Sequence, residues 1–296
     1  MPAFIGASEL IINPKGAVYH LDLAPEQLAD TVITVGDPDR VAEVSRHFDR
    51  IEHKARHREF VTHTGYIGSK RISVVGTGIG PDNIDIVINE LDALANIDFD
   101  TRQPKDDIKS LQIIRLGTSG SLQEDIPVDS LVVSSHGVGL DNLLHYYQRN
   151  ETATEAGLLH DFVRHTGLHE RAVVPYLASC APELASLFRA PFIHGITVTC
   201  PGFYGPQGRV LRGPVAFPEL IDRLTSFRSG EFRVTNFEME TSAIYGLGSL
   251  LGHRCLSIST IVANRVHKTF SADAGRAVEN MIVTSLEIIA SGAMSN

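Results

Sequence analysis

Short apolar, β-branched runs alternate along the chain with longer segments in which apolar residues recur every three or four positions. Runs of the first kind predict buried strands, and segments of the second kind predict amphipathic helices, so their alternation predicts an α/β fold. The run Thr31-Val-Ile-Thr-Val35 reads as a strand. Further strands are expected over 60–64, 71–76, 111–116, 130–135, 172–178, 195–200, 235–238 and 255–263. Helical spacing is clearest over 83–95, where Ile84, Val87, Ile88, Leu91 and Leu94 share one face. Helices are also expected over 40–48, 155–165, 182–189, 241–251 and 275–290. Residues 65–70 read as a hairpin turn and 201–218 as a long irregular stretch. Residues 98–109 are polar, hold Pro104, and read as an exposed loop or insertion. No repeat or linker divides the chain, so a single domain over 1–296 is expected.

Sheets of this kind place ligands at the ends of their strands. Four distinctive segments fall at such ends: 36–40, 76–80, 117–120 and 236–240. Charge narrows the kind of ligand. Of the 296 residues, 26 are Lys or Arg and 35 are Asp or Glu, a net charge of −9. That balance argues against a nucleic-acid partner. Arginine nevertheless far outnumbers lysine, and several arginines stand beside Gly, Thr or Asp. The guanidinium fork suits phosphate or carboxylate, so a small anion in a pocket is expected. No apolar run approaches the roughly 18 residues of a membrane span. Residues 1–13 have no basic start and carry Glu9, unlike a signal peptide. Cys180, Cys200 and Cys255 lie far apart and fit a reducing cytoplasm better than a disulfide framework or zinc site.

Four motifs carry candidate chemistry, each beside a plainer reading. Gly36-Asp-Pro-Asp-Arg40 opens a helix after a strand, where free backbone N–H groups and Arg40 can hold an anion; it is equally a turn with a surface Arg. Arg115-Leu-Gly-Thr-Ser-Gly120 puts a charge near the end of an apolar strand, beside a phosphate-nest sequence. Alternatively, Arg115 pairs structurally with a carboxylate. In Phe237-Glu-Met-Glu-Thr241, Glu238 and Glu240 can recognise ribose hydroxyls or cap a helix. In Phe203-Tyr-Gly-Pro-Gln-Gly-Arg209, Gln207 and Arg209 beside an aromatic ring suit a flat polar base, or form a plain surface loop. Gly76-Thr-Gly-Ile-Gly80 meets neither the Rossmann nor the P-loop spacing. No metal site is expected at His47, His53, His57 and His63, which lack zinc-ligand spacing. No G-x-S-x-G elbow occurs.

In chain order stand Tyr19-His20, Gly36-Asp-Pro-Asp-Arg40-Val41, His57-Arg-Glu-Phe60, Thr77-Gly-Ile-Gly80, Arg115-Leu-Gly-Thr-Ser-Gly120, Phe203 to Arg209, Asn236-Phe-Glu-Met-Glu240 and Asn264-Arg265. With this ordered set the chain resembles the nucleoside phosphorylase family, most closely its uridine phosphorylases, over nearly its whole length. The resemblance implies a single-domain, three-layer α/β/α fold around a central mixed sheet. It implies a cytoplasmic pentosyltransferase of pyrimidine salvage, converting uridine and phosphate reversibly to uracil and ribose 1-phosphate. It assigns Gly36, Arg40, Arg115 and Thr118 to phosphate, with Arg58 lent by a neighbouring subunit. Met239 and Glu240, with Glu238 beside them, fall to the ribose, and His20 to its 5′-hydroxyl across the dimer. Phe203, Gln207 and Arg209 fall to the base, with Arg265 in support; Arg209, Gln207 and Glu240 are the expected catalytic set.

The same resemblance implies no cofactor, since phosphate is a co-substrate. A monovalent cation held by some relatives is not carried over, because Gly80-Pro-Asp-Asn83 differs from their version. It implies a homodimer as the minimal unit, and the longer 98–110 segment leaves a hexamer open. Purine-cleaving relatives carry an Asp in the segment that here reads Ser259-Thr-Ile-Val-Ala-Asn264, so a pyrimidine is favoured. The alternatives are a purine or broad-specificity phosphorylase and a hydrolytic nucleosidase of the same fold. A non-catalytic nucleoside- or phosphate-binding protein would have little use for both the paired glutamates and the base loop. A dehydrogenase is disfavoured by the glycine spacing.

Overall fold

The apolar residues of one strand already define the layers. In the computed structural model, which describes residues 4–291, β1 (Thr31–Val35) is buried at all five positions. Its side chains alternate between two faces. Val32 packs with Ile84, Leu91, Ala243 and Leu247, whereas Ile33 and Val35 pack with Val41, Val44, Met281 and Ile282. Helices therefore cover both sides of the sheet, giving three layers.

The elements follow in chain order. After β1 come α1 (Arg40–Ser45), β2 (Arg50–His57), β3 (Phe60–Ile67), β4 (Lys70–Gly76) and α2 (Pro81–Asn96). The short β5 (Ile97–Asp98) and β6 (Gln103–Pro104) precede β7 (Gln112–Ser121) and β8 (Leu131–Gly139). Next are α3 (Ala153–Thr166), β9 (Tyr176–Ser179), α4 (Pro182–Ala185), β10 (Ile193–Thr199), α5 (Leu220–Ser226) and β11 (Arg228–Ser229). The chain ends with β12 (Phe232–Glu238), α6 (Thr241–Leu250), β13 (Arg254–Asn264), β14 (Thr269–Phe270) and α7 (Ala274–Ala290).

Ten strands form one mixed sheet in the order β11-β12-β10-β8-β13-β7-β1-β4-β3-β2, with β9 on β8 and β14 on β13. The far end of β7 also pairs antiparallel with β12, Gly120 opposite Phe237 and Ser121 opposite Asn236. That pairing curls half of the sheet round on itself and brings the ends of β7 and β12 together.

Several predicted boundaries move. Residues 117–120 are not a loop: β7 runs through them, paired with β13 along their length and with β12 from Gly120 on. β9 starts at Tyr176 because Ala172 takes a left-handed turn at φ 57°. The helix expected over 182–189 is a single turn. Several elements were unexpected, β2 and α5 the longest among them. β2 has no buried position and forms the sheet edge, and α5 buries Leu220 and Leu224 at the end of the irregular stretch. The polar 98–109 segment holds the β5–β6 ladder, and Arg102 within it donates to the carbonyls of Ile5, Gly6 and Leu10. It thereby ties the start of the described chain to the body.

Candidate active site

Arg40 opens α1 one turn-length beyond the end of β1. Its side chain is mostly buried, and among the described residues its nearest carboxylate, Glu43, is 4.0 Å away and its Nε has no hydrogen-bond partner. Burial pushes its pKa down, and the like charge of Arg115 adds to that against the pull of Asp37 and Glu43. A buried guanidinium left in that condition is a receptor for an anion.

Arg115 is in the opposite condition. From β7 its Nη2 donates to Glu240 at 2.5 Å and lies 3.1 Å from Glu238, while Nη1 donates to Ser259 Oγ at 3.3 Å. Burial opposes its charge, but the two carboxylates outweigh burial and hold its pKa above the usual arginine value. Gly117 makes room for this. It lies two residues along the same face of β7, and a Cβ there would fall 1.9 Å from Arg115 Nη1.

The two glutamates divide their work. Glu238 accepts from Thr199 Oγ1 at 2.7 Å, from the Glu240 N–H at 2.8 Å and from the Thr241 N–H at 3.0 Å. Its carboxylate therefore caps α6, and the capping reading of this residue applies even though it lines the site. Glu240 accepts from the Gly80 N–H at 2.9 Å and from Arg115, bridging the glycine-rich turn to β7. Burial pushes its pKa up, with Arg115 opposing and Glu238 reinforcing the rise.

The Arg209 guanidinium lies 3.7 Å from the centre of the Phe203 ring. It donates to the Phe203 carbonyl at 2.7 Å and to Gln207 Oε1 at 2.5 Å. Gln207 is buried, and with its oxygen so engaged its amide N–H₂ is left as the donor for a ligand. Arg265 donates to the Gln207 carbonyl at 3.0 Å. Burial lowers the pKa of both arginines, Arg265 lowers that of Arg209 further, and among the described residues no carboxylate offsets either charge.

One cavity of about 760 Å³ joins these parts. Its lining brings together Gly36, Arg40, Arg115 and Thr118, then Glu238, Met239 and Glu240, and also Phe203, Gln207 and Arg209. Such a cavity offers cationic groups for an oxyanion, carboxylates for hydroxyls, and donors beside an aromatic face for a flat polar ring. The sequence profile of the phosphorylase superfamily matches residues 30–290. The chain belongs to this superfamily. A uridine phosphorylase of Thermococcus kodakarensis is 32% identical over 259 residues, which cover 86% of this chain and 80% of the relative. A uridine phosphorylase of Haemophilus influenzae is 26% identical, covering 87% of this chain and 90% of the relative. A solved nucleoside phosphorylase of Trypanosoma brucei with uridine phosphorylase activity is 31% identical. It superposes with a TM-score of 0.85 over 97% of this chain and 100% of its own.

In this phosphorylase three expected site residues stand outside the cavity lining. Arg265 sits behind Gln207. Arg58 occupies the tip of the β2–β3 hairpin at φ 52°, where it donates to Tyr19 Oη at 3.2 Å and lies over the Tyr19 ring. His20 packs edge-on against that same ring. Arg58, Tyr19 and His20 therefore form a cluster of their own. Conversely, Asp37, Glu59, Asn83 and Phe270 line the cavity and were not among the expected residues. Glu59 carried a signal, since it stands beside Arg58 in the motif His57-Arg-Glu-Phe60. Phe270 carried none, because it stands on a two-residue strand with exposed side chains.

Proposed function

We propose that this protein is a uridine phosphorylase, a pentosyltransferase that converts uridine and phosphate reversibly to uracil and ribose 1-phosphate. One observation carries the reading: a single cavity holds both the undercompensated Arg40 and the Gln207–Arg209 pair, whose charge no carboxylate among the described residues offsets. Phosphate beside Arg40 and Arg115 would face C1′ of a ribose held by Met239 and Glu240. As the C1′–N1 bond lengthens, positive charge grows on the sugar and negative charge on the base. Phosphate answers the first charge as nucleophile and counter-ion. Arg209 and the Gln207 amide answer the second from fixed positions, and preorganised donors of this kind often contribute more to catalysis than any other effect. Holding the ribose between them contributes entropically. No covalent enzyme intermediate and no cofactor enters this scheme.

In the same proposal the minimal unit is a homodimer in which Arg58 and His20 complete a neighbour's site, the first at phosphate and the second at the ribose 5′-hydroxyl. The enzyme would work in the cytoplasm, where the free thiols of Cys180, Cys200 and Cys255 stay reduced. The deciding assay follows uracil release from uridine by absorbance, with and without phosphate. Release should require phosphate, and uridine should be preferred to inosine. Cleavage that proceeds equally without phosphate would identify a hydrolase, and a preference for inosine would overturn the pyrimidine assignment.

A further inference from the structure

Glu90 lies on α2, outside the cavity, and its carboxylate is drawn to a single place. The His20 N–H donates to both of its oxygens, at 3.0 and 3.1 Å, and the Leu21 N–H donates to Oε2 at 2.8 Å. Oε1 then lies 2.7 Å from His20 Nδ1. The Glu90 side chain is 12% exposed and that of His20 28%. A mostly buried carboxylate costs stability unless its oxygens are satisfied, and here every partner belongs to His20 or its neighbour.

We infer that Glu90 is a positioning residue for the reaction: it fixes the tautomer and orientation of His20, so that the Nε2 lone pair is presented to the ribose 5′-hydroxyl. The inference rests on the reading above that His20 serves that hydroxyl in a neighbouring subunit. The chemistry of the contact is decisive. An ionised carboxylate has no proton to give, so a 2.7 Å contact places the imidazole proton on Nδ1. With the proton on Nδ1, a neutral imidazole has its acceptor at Nε2, and that atom makes no hydrogen bond among the described residues. The two backbone N–H groups hold the carboxylate and keep it from following the ring. Tyr19 and Phe60 meet the ring edge-on, with centroids 4.9 and 6.2 Å away, and His57 Nδ1 lies 3.2 Å from the His20 carbonyl. The ring is thus held on several sides, with Nε2 as its open atom.

Glu90→Gln separates this role from simple anchoring. The Gln oxygen can keep both backbone N–H groups at the Oε2 position. Its amide N–H₂ then faces Nδ1 and, by donating to it, moves the imidazole proton to Nε2. The 5′-hydroxyl would meet a donor where it had met an acceptor. The test measures kcat/KM for uridine and for 5′-deoxyuridine, which lacks the hydroxyl, in the wild type, Glu90→Gln and His20→Ala. Glu90→Gln should lower the uridine value by about tenfold, the weight of one hydrogen bond, and the 5′-deoxyuridine value by less than about twofold. Equal losses on both substrates, or no loss on uridine, would overturn the positioning role. His20→Ala checks the underlying reading: if it leaves the ratio of the two substrates unchanged, that reading fails, whatever Glu90→Gln does. If Glu90→Gln does not fold, Glu90→Asp keeps the charge but shortens the reach, and the same selective loss on uridine is expected of it.

Discussion

Arg40 and Arg115 line the same cavity yet live in opposite electrostatic conditions, and that difference separates binding from structure. Removing Arg40 takes away a charge that the fold barely compensates. Arg40→Ala should therefore raise the phosphate KM by at least about tenfold while leaving the urea midpoint unchanged or slightly higher. Removing Arg115 leaves Glu238 and Glu240 facing each other in the interior. Arg115→Ala should cost about 3–5 kcal/mol in urea unfolding as well as activity. If both variants behaved alike, the distinction between them would be wrong. At the base end, Arg209→Ala should lower kcat/KM for uridine by about a hundredfold, the loss of one preorganised donor, and hardly change the phosphate KM. The reverse pattern in steady-state kinetics would count against placing the base there. The placing of Arg40 and Arg115 at strand ends, where the cavity forms, was legible from their flanking Gly, Thr and Asp residues. Their opposite electrostatic conditions were not, because Arg115 meets Glu238 and Glu240 from far away in the chain, a pairing that only the closure of β7 on β12 creates.

At the scale of elements, what the pattern revealed depended on how much of each element is buried. β1 and β4 were legible because both are covered on both faces or nearly so, and such strands read as unbroken apolar runs. β2 stayed hidden because an edge strand that exposes Arg50, Glu52, Lys54 and Arg56 has no apolar face to betray it. α3 shows how one side chain joins two elements. Glu155 accepts from the Thr152 N–H at the helix start and from the Ser179 N–H and Oγ at the end of β9. Burial would raise its pKa, but these hydrogen bonds and the nearby Arg149 prevail and hold it below its ordinary value of 4.5. The folded state therefore prefers the ionised form. Its contribution is complete above pH 4.5 and is lost as the pH falls through the lower folded value. Glu155→Gln should lower the melting temperature by roughly 2–4 °C at pH 7, the effect of about 1 kcal/mol in a chain of this size. The deficit should shrink as the pH is brought from about 5 toward 3. A deficit that stays constant over that range in thermal melts would mean that the charge of Glu155 contributes nothing.

For the molecule as a whole, the central question is whether one chain is enough. Arg58 leans on Tyr19 at the hairpin tip, whereas Arg40 and Arg115 lie in the cavity with Glu59, the neighbour of Arg58 in sequence. The hairpin tip thus sends its two side chains to different places. On the homodimer reading, each active site takes Arg115 from one chain and Arg58 from the other. An Arg58→Ala chain would then keep a sound cavity but lend a defective neighbour, and an Arg115→Ala chain would do the opposite. Each variant alone should be nearly inactive. Denatured and refolded together in equal amounts, half of the dimers should be mixed, and each mixed dimer should hold one site with both arginines intact. Activity should return to about a quarter of the wild type, provided Arg115→Ala retains its fold in the mixed dimer, which its melting curve reports. Arginines acting from a single chain would make every site defective in one of them, and mixing would restore nothing. The family resemblance assigned Arg58 to a neighbouring subunit, and the hairpin geometry, which sends Arg58 to Tyr19 and not into the cavity of its own chain, supports testing that assignment with two chains.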